Sequence, residues 1–124
     1  MNNQQLSRQI QSIKELIKKT RIATNNDIEI QSHWAKYLCV LVAGFIENAL
    51  SEIYSDYCLR TSNPSVGKYA ASTLHRIQNP KTNKFIEISA AFNETWSSDL
   101  ASFVGNDGRK EAIDSIMANR HQVA

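Results

Sequence analysis

Leu6, Ile10, Ile13 and Ile17 recur at spacings of four, three and four residues, the step that lines side chains along one face of an α-helix. Arg8, Gln11, Lys14, Glu15 and Lys18 fall off that face. The pattern predicts a first amphipathic helix over about residues 3–22. The polar run Ala23-Thr24-Asn25-Asn26-Asp27 then brings helix-capping residue types ahead of a new apolar pattern.

From Ile28 to Leu59 there is no proline, and two apolar stripes overlap. Trp34, Leu38, Leu41 and Phe45 form one; Val42, Ile46, Leu50, Ile53 and Tyr57 form the other. Overlapping stripes predict a long helix packed on more than one side, the spine of a bundle. At about 1.5 Å per residue it would extend roughly 50 Å.

Asn63-Pro64 and Asn79-Pro80 are helix-breaking dipeptides, and Pro64 suits the first turn of a helix. Between them Val66, Tyr69, Ala70, Leu74 and Ile77 predict a short third helix. Thr82 is expected to cap a fourth, carrying Phe85, Ile88, Phe92, Trp96, Leu100 and Phe103 and ending near Gly105-Asn106-Asp107-Gly108. Ala112, Ile113, Ile116 and Met117 predict a fifth that runs into Arg120. No segment alternates with period two for long enough to be a strand. The expected class is all-α, an antiparallel helical bundle of about five helices in one domain spanning 1–124.

Composition agrees with that reading. A chain of 124 residues with 42% hydrophobic and 21% charged residues can bury one conventional core, and is neither disordered nor fibrous. The net charge of +2 neither demands nor excludes a polyanionic partner. Cys39 and Cys58 sit on one predicted helix about 28 Å apart, too far for a disulfide. With no signal peptide recognisable, a reducing cytoplasm is the expected setting. The longest apolar stretch, Leu38 to Ile46, is closed by Glu47 and is short of a bilayer span, so a core helix is expected and no membrane.

Candidate chemistry is sparse. The three candidate site residues are Arg120, His121 and Glu47. Arg120 and His121 close an apolar helical run, where basic side chains also favour the negative end of the helix dipole. Glu47 lies in the most apolar helix on a face shared with Ala43, Ser51 and Tyr54, which reads either as a functional strip or as a solvent face or close helix crossing. Lys14, Lys18 and Arg21 line one side of the first helix and are taken as a solvated polar face. His33 and His75 lack neighbours at metal-ligand spacing, so no metal or cofactor is expected. Trp34, Tyr37, Phe45, Phe92 and Trp96 are assigned to the core.

Three features together resemble the HEPN domains, and among them the bacterial RiboL-PSP-type and related HEPN nucleases. They are the all-helical size, a second helix reading His33-Trp34-Ala35-Lys36-Tyr37-Leu38 through Gly44-Phe45-Ile46-Glu47-Asn48-Ala49-Leu50, and the closing Arg120-His121-Gln122-Val123-Ala124. The last is similar to the family's Arg-polar-x-x-x-His signature, with Arg120 as the arginine and His121 in the polar position. The signature's final His would fall just past Ala124, so the expectation is that the natural sequence continues, with a further C-terminal helix, or that the chain is an inactive variant. The resemblance implies a metal-independent endoribonuclease of toxin-like or defence-associated kind, working on RNA as a homodimer, with an antitoxin or regulatory protein as partner.

The residue types suit that chemistry. Cleavage of RNA by its own 2′-hydroxyl needs proton transfer, which histidine supplies near neutrality, and a cation at phosphorus, which the planar arginine fork supplies. Adjacent helical residues point about 100° apart, so His121 is a poor substitute for the absent His. Residues 1–124 are therefore expected to be inactive. The alternative is a non-catalytic helical dimerisation or protein-interaction module in which Arg120 and Glu47 form a structural ion pair.

Overall fold

The computed structural model describes the backbone of residues 3–25, 27–78 and 80–123, and side chains over 4–25, 27–78 and 80–120. Six helices and no strand occur among these residues: α1 (Asn3–Thr24), α2 (Ile28–Thr61), α3 (Pro64–His75), α4 (Thr82–Phe92), α5 (Glu94–Val104) and α6 (Arg109–Val123). The all-α expectation holds.

Capping chemistry sets most of the boundaries. The Thr24 hydroxyl folds back onto the Thr20 carbonyl at 2.7 Å as α1 ends, and the Asp27 carboxylate accepts from the Ile30 N–H at 3.1 Å as α2 begins. Asn63 caps α3 through the Ser65 N–H, with Pro64 in the first turn as its missing donor permits. Asp107 and Gly108 both take positive φ before α6. Arg109 then ties the turn together, donating to the Phe103 carbonyl at 2.9 Å and stacking over the Phe103 ring at 4.1 Å.

Two boundaries differ from the sequence reading. The expected single fourth helix is two, because the Asn93 backbone is extended and its side chain accepts from the N–H groups of both Thr95 and Trp96. The apolar period runs straight through this corner, so only the cap reveals it. Thr82 does not cap α4 either. It is fully buried at the first helical position, and Asp114 of α6 accepts from its N–H and its hydroxyl, both at 2.8 Å. The orphan donor of α4 is thus satisfied from 32 residues away.

α2 is the spine: α1, α3 and α6 all pack on it. Its second half carries the core, where Leu50 and Cys58 meet Leu74 and Ile88, with Tyr54, Ala70, Ile77, Phe85 and Phe92 around them. Tyr54 stacks on Phe92 at 4.8 Å between ring centroids, and its hydroxyl bonds the buried Ser89 hydroxyl. Gly67 lets α3 approach closely, since a Cβ there would sit 3.2 Å from the Cys58 carbonyl oxygen and the Leu59 Cα. The first half of α2 is braced chiefly by α1, and its first fully buried side chain is Ala43. Among the described residues, α2 alone has the length and mean hydropathy of a membrane span, a property that core helices share.

Trp34 and Tyr37 are therefore not core. They are 40% and 49% exposed because α2 outruns the helices that would cover them. Trp96, also assigned to the core, is 38% exposed at the end of the ring series Tyr54, Phe92, Tyr57.

Candidate functional site

In α6, Ile113, Ile116 and Met117 are spaced three and four apart on one face, and Arg120 comes next on the same face. That face lies on α2, and Met117 is almost wholly enclosed. Across from it α2 presents a strip of small side chains, Ala43 and Ser51, both buried, with Glu47 one turn from each. The strip therefore lies at the α2–α6 crossing and not on the solvent side.

Arg120 reaches Glu47 at that crossing. Its Nη1 donates to Glu47 Oε2 at 2.8 Å, between residues 73 apart in sequence. The side chains are 27% and 25% exposed, so the pair is largely removed from water yet still open at one edge. This geometry can hold a guanidinium in one orientation, and a guanidinium so held can meet a phosphate through its planar fork of N–H donors. His121 lies in α6, and its side chain falls outside the described residues.

A hollow of about 610 Å³ lies between α1 and α2 on the neighbouring side of the α2 turn that carries Glu47. Its walls include Arg8, Gln9, Ser12, Gly44, Phe45 and Asn48. Arg8 was not singled out in the sequence, where it is one more polar residue off the apolar stripe of α1. Pairing of the two helices brings it to this hollow.

The acids and bases elsewhere make a different pattern. Asp114 serves the start of α4; burial raises its carboxyl, and the two Thr82 hydrogen bonds together with the charges of Lys110 and Lys81 outweigh that and leave it below the usual value. His75 Nδ1 donates to the Ala71 carbonyl at 2.7 Å and its Nε2 faces the Glu52 carboxylate at 3.4 Å, which together raise its pKa, the Ala71 bond foremost. Cys58 is pushed up by burial, which keeps its thiol protonated and inert.

The family model for RiboL-PSP-HEPN matches residues 4–124. The chain belongs to that HEPN family. No curated protein and no solved structure gives a significant match.

Proposed function

We propose that this domain is the arginine-bearing part of a metal-independent endoribonuclease of the toxin-like or defence-associated HEPN kind, acting in the cytoplasm as a homodimer. Arg120 grips the scissile phosphate, and Glu47 is a positioning residue that holds the guanidinium. The family match supports the RNA-directed reading, and the observation that carries the site is the 2.8 Å Arg120–Glu47 contact, which keeps one edge open to solvent.

In this reading the substrate's 2′-oxygen attacks phosphorus, the bond to the 5′-oxygen breaks, and a 2′,3′-cyclic phosphate forms. A base takes the 2′-proton and an acid returns one to the leaving oxygen. Arg120 stabilises the charge that builds on the phosphate oxygens. Within residues 1–124 the proposed site draws on Arg120 and Glu47. The second copy is favoured by the middle of α2, where Leu41, Val42, Phe45 and Ile46 remain half-buried, an apolar surface that another chain would cover.

The same surface favours the alternative, a non-catalytic interaction module that binds itself or an antitoxin-like regulatory protein. RNA binding measured by fluorescence anisotropy separates the two, with cleavage followed in chelator. The nuclease-type reading expects micromolar-range binding that weakens in Arg120→Ala. A folded protein that binds no RNA, or binds it equally well without the Arg120 guanidinium, leaves the module as the function.

A further inference from the structure

We propose that the free end of the α1–α2 hairpin is a second contact for single-stranded RNA, where Trp34 and Tyr37 stack on bases and Arg21, across a hollow from Trp34, holds a flanking phosphate. This rests on the RNA-binding reading of Arg120. It adds a surface that catalysis itself does not require.

The aromatic pair is built but unused by the fold. Trp34 and Tyr37 meet edge to face, 5.6 Å between centroids and 78° between planes, with 40% and 49% of each residue exposed. Trp34 is the common wall of two hollows. One, of about 190 Å³, has Ile17, Thr20 and Arg21 of α1 on its far side; the other, of about 300 Å³, is completed by His33 and Tyr37. A large aromatic side chain left in water serves stability poorly, and the core cluster lies in the other half of α2.

Charge selects the occupant. Residues 1–45 hold six of the 14 Lys and Arg but only three of the 12 Asp and Glu. The remaining residues carry eight basic and nine acidic side chains, so the excess positive charge of the protein lies in residues 1–45. Exposed Ile22 and Ile28 near the inter-helix turn would also suit a protein partner. The local cationic excess beside two open rings favours a polyanion that carries flat apolar groups, which is a single-stranded nucleic acid. A duplex keeps its base faces stacked and would offer these rings nothing.

The spacing fits one strand touching both places. Trp34 and Glu47 both lie on α2, about 20 Å apart along its axis and about 140° apart around it, so a strand touching both would wrap partway round the helix. A strand held at the hairpin by stacking would be led toward Arg120 in one direction. The contact would be tolerant of sequence, because every base has a π-face.

The test compares single-stranded and duplex RNA binding by anisotropy for the wild type, Trp34→Ala/Tyr37→Ala, Trp34→Phe and Arg120→Ala. The expected result is a loss of about tenfold for single-stranded RNA in the double alanine variant, none for duplex, and near-full retention in Trp34→Phe. In a Trp96→Phe background, the emission of Trp34 should quench as single-stranded RNA binds. If the wild type binds RNA and Arg120→Ala weakens it while Trp34→Ala/Tyr37→Ala does not, the hairpin contact is refuted and the Arg120 reading stands. If the double variant changes the sedimenting mass at unaltered RNA affinity, the surface is a protein interface and the inference fails. A wild type with no RNA affinity removes both readings together.

Discussion

Arg120 and Glu47 meet at 2.8 Å where α6 crosses α2, about three-quarters withdrawn from solvent. A pair in that position is neither a surface ion pair of negligible worth nor a fully buried one whose desolvation cancels its attraction. Arg120→Ala and Glu47→Ala should each cost about 1–2 kcal/mol, as loss of a hydrogen bond between charged groups does. A double-mutant cycle read by urea denaturation should show the two losses to be non-additive, with a coupling on the order of 1 kcal/mol. Additive losses would mean that the contact does not persist in solution.

Asp114 should make stability depend on acid. Its folded pKa lies below the ordinary 3.8, so its contribution is complete above that pH and disappears as pH falls through the lowered value. Asp114→Ala removes the acceptor for both Thr82 donors and should cost about 1–2 kcal/mol at neutral pH. Melting temperatures of the two proteins should converge in strong acid; a gap that persists there would assign the effect to packing.

Ser55 offers a gain. Its hydroxyl is buried without a hydrogen-bond partner among the described residues, which leaves a desolvated polar group. Ser55→Ala should stabilise the protein by about 0.5–1 kcal/mol, from helix propensity and the removed penalty together. A lower urea midpoint in the variant would show that the hydroxyl is satisfied after all.

Gly67 should tolerate no branched side chain. The added Cβ meets backbone atoms of α2 at 3.2 Å, which yield less readily than a side-chain tip. Gly67→Val should lose about 1–3 kcal/mol by forcing α3 away from α2, visible as a lower melting temperature with helical content retained. An unchanged melting temperature would place the two helices farther apart than described.

Several elements could be read directly from residue order, and the failures share a cause. The Leu6-Ile10-Ile13-Ile17 stripe is α1, and Asn63-Pro64 does begin α3. Asn93 was invisible because Phe85, Ile88, Phe92 and Trp96 keep helical spacing on both sides of it. Thr82 was given a local capping role because residue order cannot show that Asp114 arrives from α6 to take its hydrogens. Arg120 and Glu47 were each notable by themselves, and their meeting depends on where two helices cross. Trp34 and Tyr37 look like core in any window of sequence. Their exposure follows from the unequal lengths of α2 and its neighbours.

That inequality of length divides the protein energetically. Amide protons of α1 and of α2 ahead of Ala43 are guarded by few enclosed side chains, whereas those of α2 beyond Leu50 share the cooperative opening of the core. Hydrogen exchange should therefore resolve an early-exchanging arm and a late-exchanging body within one continuous helix, with the boundary near the turn that bears Glu47. An occupant of the arm would slow that early class alone, which makes isotope exchange a gauge of occupancy that needs no enzymatic turnover.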